Sequence, residues 1–226
     1  MKEPTPRHTL SILYFAIACV LVFAEVIDNR ILVAVFKPTL IPILGLVYWF
    51  TSQHRNQIYM VGLIFAVTSN VLFLWTSSDF VLYGGVAFLI YRIFMIILVI
   101  KSITKFHWLA FGIAILPFLF SFSYLIELTE NELSLNIYPA VATSLLMSVL
   151  AALSLSNYIF EDDRRNSWLL ISSLLFVVLM FIFVIERFYL DNIVFQPLSV
   201  IIFASAHFAF YKFMILNEET PAPTSV

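Results

Sequence analysis

The stretch Phe80–Ile100, FVLYGGVAFLIYRIFMIILVI, decides the fold. Its 21 residues hold a single charge, Arg92, and no proline. About 20 apolar residues in a helix cross the ~30 Å hydrocarbon core of a bilayer, so the stretch reads as a membrane span. Polar breaks at Thr76–Asp79 and Lys101–Lys105 set its ends. Working outward, runs of the same kind cover Thr9–Ile27, Ile31–Phe50, Ile58–Trp75, Phe106–Ile126, Ile137–Phe160, Trp168–Tyr189 and Ile193–Leu216.

The composition agrees. Of 226 residues, 62% are apolar and 12% charged, with a mean hydropathy of +1.00. A soluble domain carries about 45–50% apolar and about 25% charged residues, so this chain lacks the polar surface to clothe a water-soluble globule. Helices satisfy each backbone N–H within their own segment, as lipid requires, and the alternation of a membrane barrel is missing. The expectation is an all-α, polytopic membrane bundle of eight transmembrane helices. It forms one domain over residues 1–216, and the polar segment 217–226, with two prolines, reads as a disordered tail. Lys2 and Arg7 before the first run imitate a signal peptide, but a run of 19 residues exceeds a usual signal core. It reads as a retained helix. Cys19, the sole cysteine, lies in that run and is expected to be a buried bystander without a disulfide.

Orientation follows the Lys and Arg residues. With eight spans, one side holds Lys2, Arg7, Arg55, Lys101, Lys105, Arg164, Arg165 and Lys212. The other holds Arg30 and Arg187 with Asp28, Asp79, Glu127, Glu130, Glu132 and Asp191. Both termini are therefore expected on the cytoplasmic side of a bacterial inner membrane. Trp49, Trp75, Trp108 and Trp168 fall at span ends, as interfacial anchors do. A net charge of −2, with basic residues scattered over loops, points away from nucleic acid.

Ionisable groups inside spans are costly and tend to mark function. Here they are Glu25, Lys37, Arg92, Glu186 and His207, with Asn70 and Gln196 as uncharged companions. At ~1.5 Å per residue, Lys37 lies about 9 Å and Asn70 about 8 Å below the outer surface. Glu25, Glu186 and Gln196 lie near the same outer ends, so these groups suggest one polar layer. Arg92 lies about 18 Å deep by the same rise, and His207 falls in the inner half. The bland alternatives are snorkelling for Glu25 and Glu186, a Lys37–Glu25 ion pair, a packing role for His207, and helix-to-helix hydrogen bonding for Asn70. No phosphate loop, metal-ligand set or nucleophile elbow occurs, and no metal or organic cofactor is implied.

Several of these segments resemble the YhhN/lysoplasmalogenase family. They are Glu25 closing the first helix, Lys37-Pro38 in the second, and Gly62–Phe65 through Ser69–Leu72 in the third. Phe88–Arg92 in the fourth and Leu175–Val177 through Arg187–Phe188 in the seventh complete the set. The resemblance implies hydrolysis of the vinyl ether bond of lysoplasmalogen, with membrane lipid, a lysophospholipid, as partner. It also implies two catalytic Asp residues, whose positions here carry Asn70 and Met180, while the family His becomes Arg92. An Asn keeps shape and hydrogen bonding but not acid–base function. Three readings stand. One is a divergent hydrolase, with Glu25, Asn70 and Glu186 as catalytic candidates and Lys37, Arg92, Gln196 and His207 binding substrate. Another is a non-catalytic headgroup binder. The third is a small transporter, for which no internal repeat speaks.

Overall fold

A computed structural model describes residues 6–75, 77–133, 137–188 and 194–219. Lys2, Asp191, residues 220–226 and the side chains of Arg7, Glu130, Glu132 and Arg187 lie outside what it describes. Among the described residues the chain is helical, without strands: α1 (Pro6–Val26), α2 (Arg30–Phe36), α3 (Leu40–Thr51), α4 (Gln57–Leu72), α5 (Ser78–Ser102), α6 (Trp108–Leu133), α7 (Ile137–Phe160), α8 (Arg164–Phe188) and α9 (Phe195–Glu219).

Seven helical segments are long and apolar enough to cross a membrane, with α2 and α3 counted together as Arg30–Thr51. The sequence reading assigns a further span to Ile58–Trp75, but α4 stops at Leu72 after 16 residues. At ~1.5 Å per residue that is about 24 Å, short of the ~30 Å core. The chain turns there, Leu74 N–H donating to the Val71 carbonyl and Trp75 stacking on Phe80, so α4 is a shorter apolar helix that still carries the chain from the basic to the acidic end.

Neighbouring helices run antiparallel. Gly62 of α4 meets Phe94 of α5, whereas Ser69 Oγ donates to the Gly84 carbonyl. Gly85 faces Pro139 near the starts of α5 and α7. His107 stacks on Phe160 where α6 begins and α7 ends. Tyr48 of α3 reaches Glu218 at the end of α9. Leu21 and Ala24, late in α1, pack on Val200, early in α9. These contacts put the start of α1 and the end of α9 at one end of the bundle, here the basic end, with Arg55, Lys101, Lys105 and Arg164. Asp28, Asp79 and Glu127 lie at the opposite, acidic end.

The second span is discontinuous. Pro38 and Pro42 lack an N–H, so the carbonyls of Ala34 and Pro38 lose their ladder donors. The chain tightens into a 3-10 turn, Lys37–Thr39, where Thr39 Oγ1 donates to the Phe36 carbonyl at 2.8 Å. The span expected over Ile31–Phe50 is thus one membrane segment, Arg30–Thr51, interrupted by a turn at Lys37–Thr39.

Two further expectations change. Cys19 is exposed, on the outward face of α1; an apolar run fixes depth but not which way a residue faces. α9 continues past Leu216 to Glu219, because Asn217 and Glu218 are held by partners on other helices.

Candidate functional site

Polar side chains gather at three levels of the bundle. At the acidic level, Glu25 stands one residue before the end of α1. It is 6% exposed, the one buried carboxylate among the described residues. The charges nearest to it along the chain are Asp28 and Arg30, which pair with each other at 3.0 Å. The turn carrying Lys37 packs against α4. Antiparallel pairing of α3 with α4 brings that turn level with Asn70, which is buried with its Nδ2 unpartnered. The outer polar layer therefore unites Glu25, Lys37 and Asn70 in depth. Gln196 sits half-buried at the second residue of α9, and Ser199 Oγ, one turn on, has no partner. Glu186 is half-buried near the end of α8.

At the central level, Arg92 is 1% exposed. The side chain is held in place by its neighbours. Nη1 lies 3.2 Å from the Met95 sulfur. The guanidinium carbon sits 3.8 Å from the ring centre of Phe176, 4.4 Å from Phe88 and 5.4 Å from Tyr91. Cation–π contacts of this kind contribute about 0.5–2 kcal/mol each. No carboxylate pairs with Arg92 among the described residues, and its Nε–H has no acceptor.

His207 shares this level, corrected from the inner half, because it occupies the middle of a helix that begins at Phe195 and ends at Glu219. Its ring stacks on Tyr91 at 5.6 Å and 7° and meets Phe176 edge-on at 4.8 Å. Nδ1 lies 2.9 Å from the Phe203 carbonyl. A carbonyl only accepts, so Nδ1 carries the proton, and Nε2 is left buried without a partner. The Tyr91 hydroxyl is likewise unpartnered. Met180, the position of the family's second Asp, is a half-buried residue packed on the core.

At the basic level most polar groups are closed on one another, Arg165 Nε being the buried atom without a hydrogen-bond partner. Glu218 accepts from Tyr48 Oη at 2.8 Å, Ser52 Oγ at 2.7 Å and the Gln53 N–H at 3.1 Å. Arg165, 6% exposed, donates to Glu161, the Ser102 carbonyl and Asn217. Asn157 donates to Asn166. Sequence reasoning took Arg165 as an orientation marker and left Glu218 in the tail; nothing in their local sequence pairs them with these partners. Tyr91 was quotable beside Arg92, but its orphaned hydroxyl is a tertiary fact. A cavity of about 70 Å³ lies away from all three levels, between α6 and α7, lined by Phe122, Ser123, Ser144 and Ser148 among others.

The outer layer offers a carboxylate that can carry a proton, a cation for an anionic headgroup and an amide for orientation. A model of the YhhN family matches residues 32–214. No curated protein and no solved structure matches the chain.

Proposed function

This chain belongs to the YhhN family, and we propose that it is a lysoplasmalogen hydrolase of the bacterial cytoplasmic membrane, with both termini in the cytoplasm. The observation that carries this reading is the burial of Glu25 at the end of α1, at the same end of the bundle as Lys37 in the turn between α2 and α3. Lys37 holds the phosphate of the headgroup, a charge-assisted contact, while the Asn70 amide and Gln196 orient the glycerol. Glu25, in its acid form, protonates the outer vinyl carbon, and the electron pair of the double bond forms the new C–H bond. Water adds to the oxygen-bearing carbon of the resulting oxocarbenium ion and returns its proton to Glu25. The hemiacetal then collapses to an aldehyde and a lysophospholipid-derived alcohol, so one water is consumed and the acid is regenerated. General acid–base catalysis by one positioned group contributes about 10²–10⁴-fold. Glu186, half-buried near the end of α8, is the other carboxylate candidate for acid–base work at this end of the bundle.

Purified full-length protein in detergent should release aldehyde from lysoplasmalogen. Glu25→Gln should reduce that rate at least about 100-fold, and Lys37→Met should mainly raise KM. A Glu25→Gln variant as active as wild type would remove Glu25 from the mechanism.

A second reading, headgroup binding without turnover, is favoured by Asn70 and Met180 at the family's Asp positions. It predicts no aldehyde release, lysophospholipid retention that Lys37→Ala abolishes, and a gain of turnover in Asn70→Asp.

A further inference from the structure

At the centre of the bundle lies a permanent cation with no counter-charge among the described residues. Arg92 is 1% exposed and stands midway along a membrane-length helix. An uncompensated charge at such a depth is costly, and the three rings around it offset only part of that cost. One edge of the guanidinium is already engaged, Nη1 facing the Met95 sulfur. The rings of Phe88 and Phe176 lie within 4.4 Å of its carbon. What remains is the Nε–H, buried and unmet. The Tyr91 hydroxyl, on the adjoining residue, is also buried and unmet, and His207 stacks on the same tyrosine with Nε2 open.

We infer that Arg92 and Tyr91 form a buried binding site for a compact monovalent anion of the halide or nitrate class. The charge selects an anion over water. The fully buried donors left unmet are one N–H and one O–H, which suits an ion of one or two acceptor atoms. The walls are aromatic, which suits a weakly hydrated ion. A lipid phosphate would have to bring its glycerol between Phe88 and Phe176, and the cavity of about 70 Å³ lies elsewhere, against Ser144 and Ser148. The site is independent of the outer layer at Glu25 and Lys37, and it stands whether or not that layer is catalytic.

The test is thermal melting of the full-length protein in detergent, in gluconate buffer, against added sodium bromide with sodium gluconate as the ionic-strength control. Bromide should raise the melting temperature by about 5–10 °C once it exceeds its dissociation constant about 100-fold. Arg92→Met should lose the response. Tyr91→Phe, which keeps the stacked ring and removes the hydroxyl, should bind bromide at least about 5-fold more weakly. Anomalous scattering from a bromide-soaked crystal should place the ion beside Arg92 Nε. Equal melting in bromide and gluconate, a response that survives in Arg92→Met, or a water in place of the ion would each overturn the inference.

Discussion

Two arginines of this protein are buried to nearly the same degree, and their surroundings are opposite. Arg165, at the basic end, lies 3.2 Å from Glu161 and 3.7 Å from Asp163, and donates to a backbone carbonyl and to Asn217. Arg92, at the centre, faces three aromatic rings and a thioether, with no carboxylate partner among the described residues. The same contrast runs through the neighbouring polar groups. At the basic end Glu218 of α9 accepts from Tyr48 of α3 and from Ser52, and Asn157 of α7 donates to Asn166 of α8. From the centre to the acidic end, Asn70, Tyr91, Arg92, Ser144, Ser199 and His207 each keep a buried atom without a hydrogen-bond partner. At the basic end Arg165 Nε does so too, but it has a carboxylate, Asp163, at 3.7 Å. Closed networks hold helices together, whereas open ones in a native fold call for an explanation such as a ligand, an ion or a water. The basic end is the staple of the bundle, and the other half holds the candidate site.

The comparison can be broken most sharply by substituting the two arginines alike. Arg165→Met leaves Glu161, Asp163 and Asn217 without their cation and should cost about 2–3 kcal/mol. That corresponds to a melting temperature lower by about 5–10 °C in detergent. Arg92→Met replaces an unpaired buried charge by an apolar side chain and should stay within about 1 kcal/mol of wild type in halide-free buffer. Equal losses at both positions would erase the distinction. A smaller effect is expected from Gly84→Ala, whose new Cβ would stand 2.9 Å from the Phe73 ring and 3.3 Å from Leu72. Overpacking of this kind costs about 1–3 kcal/mol, so α4 and α5 should separate at the level of Ser69 and loosen the outer layer. Melting and aldehyde release should fall together; a silent substitution would mean that the close approach is dispensable. The smallest effect belongs to Tyr48→Phe. It removes the hydroxyl that donates to Glu218 and accepts from the Asn56 N–H, and should cost about 1 kcal/mol with turnover unchanged. A loss of activity there would show that the staple and the site are coupled.

How much of this the sequence carries differs by level of description. Span lengths are legible because the bilayer imposes them: Phe80–Ile100 and Ile137–Phe160 sit within α5 and α7 almost residue for residue. The depth of Lys37, Asn70 and Arg92 is legible for the same reason, since rise per residue is constant. Facing is not legible from depth. Cys19 reads as buried among apolar neighbours, yet the helix turns it outward. Pro38 and Pro42 announce a disturbance in the second span, but only packing against α4 shows that it becomes a true break with Lys37 at its junction. Glu218 looks like part of a polar tail because its partners, Tyr48 and Ser52, come from 170 and 166 residues away in the chain. The company of Arg92 is hidden likewise, with Phe176 supplied by α8.

The most direct test of the proposed chemistry is aldehyde release from lysoplasmalogen in heavy water, read by mass spectrometry. Proton delivery to the outer vinyl carbon predicts one deuterium on the carbon next to the aldehyde from wild-type protein, and loss of that product in Glu25→Gln. No aldehyde from the wild type, or undiminished labelled aldehyde from Glu25→Gln, would contradict it.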